Sequence, residues 1–189
     1  MRIVISRHGE SSYNLEQRIG GNPSLSELGH EYGKRLGDFF HSTIPHCTSY
    51  ASTKKRVLET IGYCTDNYTQ YSELDEINAG ICEDLTYNDV IEKYPEEFLA
   101  RKKDKLNYRY PKGESYIDIV SRTLPIIDKI LSDGDTNVFI VCHRAITRSL
   151  LYSFGVIELS ELSTYNVPLH HVLILSGDRG KMDLVVKKL

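Results

Sequence analysis

The chain has 189 residues, with 40% hydrophobic and 26% charged positions and a formal net charge of −3. That balance fits one soluble globular domain, residues 1–189, long enough to bury a core without staples. The acidic balance sets nucleic acid aside as a default partner, and no apolar run approaches the roughly 20 residues of a membrane span.

Ile3, Val4 and Ile5 are consecutive and β-branched, so Arg2 to Ser6 reads as a buried strand. A polar, glycine-bearing loop follows from Arg7 to about Ser24. Ser26 offers an N-cap for a helix carrying Leu28, Tyr32, Leu36, Phe39 and Phe40 on its apolar face. A short extended segment at Thr48 to Ser52 precedes a helix through Val57, Leu58 and Ile61, and Tyr71 to Cys82 reads as irregular. Thr86 caps a short helix with Val90 and Ile91, and Pro95 restarts another in its first turn. One stripe of Tyr116, Ile119, Val120, Leu124, Ile127, Ile130 and Leu131 predicts a helix over Glu114 to Ser132, with Pro125 inside it. Val138 to Val141 is a second buried strand, followed by a helix from Ala145 to Phe154. Val172 to Leu175 and Leu184 to Val186 read as late strands around a turn at Gly177 to Gly180.

Strands alternating with helices predict a three-layer α/β/α sandwich around a mostly parallel sheet. Cys47, Cys64, Cys82 and Cys142 lie far apart, with no C-x-x-C pair, and read as free thiols in a reducing compartment. No basic-then-apolar leader opens the sequence, so the expected location is cytoplasmic. Six cations between Arg101 and Lys112 face a single Asp104. Such a run is most often a solvated face, yet it also attracts a small polyanion.

Ligands of open α/β sheets gather at the carboxyl ends of the strands, where His8 and His143 both fall. A neutral imidazole is a competent nucleophile toward phosphorus, and Arg7 beside His8 supplies fixed charge in a fork suited to phosphate. For a lone Arg-His pair the ordinary reading is a strand-end histidine bonded to its loop. Cys142-His143-Arg144 changes that balance by placing a second histidine and a second arginine at another strand end. Arg148 follows four residues later on the same helical face. The two histidines and a carboxylate also have the makings of a zinc site, but arginine beside each histidine opposes a cation. Neither metal nor cofactor is expected.

Arg7-His8-Gly9-Glu10-Ser11, with Asn14 and Gly20-Gly21, resembles the signature of the histidine phosphatase superfamily, whose fold is phosphoglycerate mutase-like. Within it, the run Tyr108-Arg109-Tyr110-Pro111-Lys112-Gly113-Glu114-Ser115-Tyr116 is similar to that of fructose-2,6-bisphosphatase domains. Lys55-Arg56, Glu76-Ile77, Tyr94-Pro95-Glu96-Glu97-Phe98 and Pro168-Leu169-His170 extend the likeness nearly end to end. The resemblance implies that His8 accepts the phosphoryl group, that Arg7, Arg56 and His143 hold it, and that Glu76 protonates the leaving oxygen. It implies contacts to the substrate from Asn14 and Gly20, and a second-phosphate pocket of Tyr87, Arg101, Lys105, Tyr116 and Arg148.

Two departures bear on the substrate. Arg144 stands where the family usually has glutamine, and Asn78 where it usually has aspartate. Arg144 therefore joins the candidate substrate-binding residues. No P-loop occurs in the 189 residues, so no kinase half is expected in this chain. The implied substrate is a small phosphorylated metabolite, foremost fructose 2,6-bisphosphate. A broad phosphatase, a phosphoglycerate mutase and a non-catalytic phosphate-binding module remain as other readings. Oligomeric state is not legible.

Overall fold

Ile3, Val4 and Ile5 form the centre of β1 (Arg2–Arg7) in a computed structural model that describes every residue except Pro45, Asp135, Arg179 and Gly180. The first half of the chain adds α1 (Ser12–Leu15), α2 (Glu27–Thr43), β2 (Thr48–Ala51), α3 (Lys55–Ile61) and β3 (Thr69–Gln70). Then come α4 (Tyr87–Lys93), α5 (Pro95–Lys103), α6 (Tyr116–Ser132), β4 (Asn137–Cys142), α7 (Arg144–Ser153), β5 (His171–Asp178) and β6 (Lys181–Lys188).

The strands form one sheet in the order β3-β2-β4-β1-β5-β6. Pairings from β3 to β1 are parallel, and β5 alone runs against the rest. Successive side chains of a strand point to opposite faces, and here they feed two cores. Ile3, Ile5, Val138 and Ile140 pack with Ile119, Ile127, Ile146 and Leu150 of α6 and α7. Val4, Phe139 and Val141 pack with Tyr32, Leu36, Val57 and Ile61 of α2 and α3. Helices thus cover both faces, as the alternating pattern predicts. Each such buried side chain contributes about 1.5–3 kcal/mol. Among the described residues no helix is long and apolar enough to cross a membrane.

The elements differ from expectation in a few places. Helix α6 starts at Tyr116 rather than Glu114, because Ser115 and Asp118 close a capping box that fixes the first turn. Leu28 and Leu124, read as core, are 51% and 38% exposed, and Thr123 and Ile126 take the inward places on α6. The four-residue α1 lies within the predicted loop, closed by a Ser11–Asn14 capping box. Two 3₁₀ turns, Ser72–Leu74 and Gly80–Cys82, order the stretch read as irregular. Strand β5 runs on through Gly177 and Asp178, while Arg179 and Gly180 of the predicted turn lie outside the described residues.

Parallel neighbours bring their carboxyl ends to one edge. Arg7 is level with Cys142, and the His8 amide donates to the Cys142 carbonyl at 3.0 Å. On the other side of β4, the Ser52 amide donates to the Val141 carbonyl at 3.2 Å. His8, His143 and Ser52 therefore stand side by side where three strands end.

Candidate active site

His8 is buried, and its protonation is set by its neighbours. Nδ1 lies 2.6 Å from the Gly9 carbonyl, which can only accept, so Nδ1 carries the ring proton. Nε2 is left with its lone pair and receives the Nε–H of Arg56 at 3.2 Å. Burial first, then the charges of Arg56 and Arg7, hold the imidazole well below its usual range, so it stays neutral at neutral pH and below. Gly9 is itself fixed, its amide donating to Thr60 Oγ1 at 3.0 Å. A Cβ on Gly9 would run into the Gly29 backbone, so only glycine permits this packing.

Two other buried groups of the site are without partners. The buried Nε of Arg7 and Nδ1 of His143 make no hydrogen bond. The His143 ring lies 5.1 Å from that of His8 and is fully buried. Burial pushes Arg7 down to about 10, which leaves it charged at neutral pH. Arg56 donates Nη1 to the Gly21 carbonyl at 2.9 Å, tying the Gly20-Gly21 turn to α3. That turn needs positive φ at both glycines, and Glu83 holds it by accepting from the Gly21 amide at 2.6 Å. An orphaned buried donor such as Arg7 Nε costs free energy unless an acceptor arrives, and it suits an anion.

Glu76 sits at the start of α7. Its Oε1 accepts from the amides of Ala145 at 3.2 Å and Ile77 at 3.0 Å, which fixes the carboxyl in the cavity that His8 also lines. Of the thirteen site residues named from sequence, all but the fully buried His143 line one cavity of about 350 Å³. Glu76 is the single carboxylate among its lining residues.

The far part of that cavity is basic. The Arg101 guanidinium lies 5.4 Å from the Tyr110 ring centre, and Lys105 Nζ lies 5.9 Å from that of Tyr116. Burial first, then Arg148, Arg101 and Arg144, push Lys105 down to about 8. Arg7, Arg56, Arg101, Lys105, Arg144 and Arg148 form no ion pair with any carboxylate among the described residues. Arg148 is 2% exposed and committed to structure: it donates to Tyr165 O at 2.7 Å, Ser163 O at 2.9 Å and the Tyr116 hydroxyl at 2.6 Å. The Tyr116 hydroxyl, accepting from Arg148, keeps its own proton for a ligand. Asn14 uses Oδ1 in the cap of α1, which leaves its amide donors free. Tyr87 and Arg144 are exposed at the rim.

An adjoining cavity of about 450 Å³ shares Gly20, Glu76 and Ile77. Its Arg122 is paired with Glu114, and Glu83 is occupied by backbone amides, so it offers an anion far less. The described residues hold no group of three or more side chains placed to bind a metal ion. Sequence reasoning missed Ser52, Asp75, Thr60 and Glu83. Ser52 had a readable signal, since it ends the predicted Thr48–Ser52 segment at the carboxyl edge. Asp75 and Glu83 lie in the 3₁₀ stretch, which carries no periodicity.

Comparison with known proteins agrees with this arrangement. The model of the histidine phosphatase superfamily (branch 1) matches residues 3–188. The chain is 44% identical over 175 residues to a 6-phosphofructo-2-kinase/fructose-2,6-bisphosphatase of Gallus gallus, covering 92% of this chain and 37% of that protein. It is 42% identical over the same length to isoform 1 of Homo sapiens. The chain thus spans little more than a third of the length of these relatives. The alpha-ribazole phosphatase of Shigella flexneri superposes with a TM-score of 0.88 at 19% identity, covering 98% of this chain and 95% of that one. Fold, sequence match and the paired histidines at adjacent strand ends agree: the chain belongs to branch 1 of the histidine phosphatase superfamily.

Proposed function

We propose that the chain hydrolyses a sugar bisphosphate, foremost fructose 2,6-bisphosphate, through a phosphoryl group carried on His8. The observation that carries this reading is the excess of unpaired cations distributed along one cavity. Arg7 and Arg56 suffice for one phosphate dianion beside His8. Arg101, Lys105 and Arg144 remain for a second, with the hydroxyl of Tyr116 and the rim residue Tyr87 beside them.

In the first step His8 Nε2 attacks phosphorus and the bond to the sugar oxygen breaks. Glu76 delivers a proton to the departing alkoxide, a poor leaving group without one. Arg7, Arg56 and His143 surround the equatorial oxygens, where charge is greatest. In the second step Glu76 takes a proton from water as its oxygen attacks phosphorus, and the N–P bond breaks. Asn14 and the Gly20 backbone border the reacting phosphate and the sugar.

The test is a panel of sugar bisphosphates, sugar monophosphates and 3-phosphoglycerate, assayed for released phosphate in EDTA. Brief incubation with labelled substrate should leave acid-labile, base-stable label on His8, and His8→Ala should abolish both label and turnover. Label on another residue, or turnover by His8→Ala, would refute the covalent route. Transfer of the group back to a glycerate would indicate a mutase.

A further inference from the structure

Ser52 takes no part in the steps above, yet it is fully buried against one of the two histidines. Its Oγ lies 2.7 Å from His143 Nε2 and 2.7 Å from Asp75 Oδ1. A hydroxyl has one proton, and a carboxylate only accepts, so Ser52 donates to Asp75. It must then accept from His143, whose ring proton is thereby fixed on Nε2. Asp75 is itself held in place by the Thr53 amide at 2.8 Å, the Thr53 hydroxyl at 2.8 and 2.9 Å, and Lys54 Nζ at 3.8 Å.

The remaining ring atom, Nδ1, is buried without a partner and is the one polar atom of His143 left for a phosphoryl oxygen. With the proton on Nε2, that atom presents a lone pair, which repels a phosphate oxygen unless a proton lies between them. Arg7 and His8 from the end of β1, Lys54 and Arg56 from the start of α3, and burial above all keep the empty ring neutral. An arriving dianion reverses the balance of charge around it.

Given the phosphoryl reading of the cavity, we propose that Ser52 and Asp75 are positioning residues that make His143 the proton acceptor of the site. A monoanionic phosphoryl group gives up its proton: the O–H bond of its hydroxyl breaks and an N–H bond forms at Nδ1. When the dianion binds, the same proton comes from solvent. The new imidazolium donates to the phosphoryl oxygen, and its charge is backed by Asp75 through the Ser52 hydroxyl. His143 enters neutral and holds the phosphate as a cation.

The probe is inorganic phosphate at pH 8, where it is mostly dianion. Binding is measured by calorimetry in buffers of different ionisation enthalpy and by nitrogen NMR of ring-labelled histidine. Wild type should take up about one proton per phosphate, with affinity falling about tenfold per pH unit above that point. One histidine Nδ1 should become protonated on binding. His8→Ala should keep this uptake, which excludes the nucleophile as the acceptor. Ser52→Ala should lose most of it and bind phosphate about 10- to 100-fold more weakly. Asp75→Asn keeps the hydrogen bond and removes the charge, so it should show the same loss even if Ser52→Ala fails to fold. Uptake unchanged in both relay variants, or abolished in His8→Ala, overturns the relay. A wild type that forms phospho-His8 yet takes up no proton overturns the relay alone, whereas one that binds no phosphate overturns the phosphoryl reading with it.

Discussion

Arg56 Nε points at His8 Nε2 across 3.2 Å, a cation aimed at the lone pair that attacks phosphorus in the proposed reaction. The contact keeps a second proton off the His8 ring. In the proposed reaction a phosphoryl group would offer Arg56 better acceptors, and the guanidinium would pass from the imidazole to the oxygens.

Arg56→Lys tests that handover. Lysine keeps the charge and loses both the fork and the bond to Gly21 that ties down the glycine turn. The rate of phospho-His8 formation should fall about 10²- to 10³-fold, as when one transition-state donor is removed. Rapid-quench measurement of the labelled enzyme reads it directly, and a loss below tenfold would place Arg56 outside the transition state.

Glu76→Gln should slow expulsion of the sugar far more than it weakens binding. An amide cannot deliver a proton, and loss of such a group typically costs about 10² to 10⁴ in rate. With an aryl phosphate, whose leaving group departs as a stable anion, the deficit should shrink at least tenfold. Equal deficits on both substrates would remove Glu76 from the acid role.

Lys105 gives the proposed second-phosphate pocket a pH signature. Its pKa is pushed down to about 8, so its charge is present below that value and lost as pH rises through it. KM for a bisphosphate should therefore rise from pH 7 to 9, while KM for a monophosphate bound only at His8 stays nearly level. Lys105→Arg, charged throughout the range, should flatten the rise. A profile identical for both substrates would separate Lys105 from binding.

Arg101→Ala should raise KM for a bisphosphate about 10- to 150-fold and leave a monophosphate little changed, the span of one charge-assisted phosphate contact. Arg148→Ala is a poorer probe than its place in the sequence implies. Its guanidinium satisfies Tyr165 O and Ser163 O, so removal should cost about 2–4 kcal/mol of stability, visible in a denaturant midpoint. Arg144→Gln, at the exposed rim, should alter preference among bisphosphates without lowering stability. An unchanged preference would mark Arg144 as a surface charge.

Much of this was legible because chemistry and periodicity coincide at the strand ends. The β-branched run before His8 and the one before His143 define two strands, and parallel pairing does the rest. The apolar stripe of α6 predicted its packing, though Leu124 faces water because a 3.6-residue period leaves one flank of any wide stripe outside. Sequence could not show that Arg148 is buried, since the Tyr165 and Ser163 carbonyls and the Tyr116 hydroxyl that hold it come from segments that meet it only in the fold. For the same reason the Asp75–Ser52–His143 chain was hidden: it joins three segments that meet only when β2 lies beside β4. Strand β3 has two residues, both exposed, and no pattern of that length is readable.

His8 and His143 hang from two neighbouring strands in the middle of the sheet, laced to each other by hydrogen bonds and covered on both faces. Arg101 rides on α5, a helix with no buried residue, and Tyr87 sits on the exposed first turn of α4. The end of the cavity at His8 thus hangs from buried central strands, where almost any replacement damages the fold. At the far end, Tyr116 and Arg148 are buried on α6 and α7, but Arg101 and Tyr87 are carried by elements peripheral to that framework. Over evolutionary time such a division lets the choice of substrate drift through surface replacements while the phosphoryl chemistry stays fixed, and a designer seeking new specificity should begin at α4 and α5.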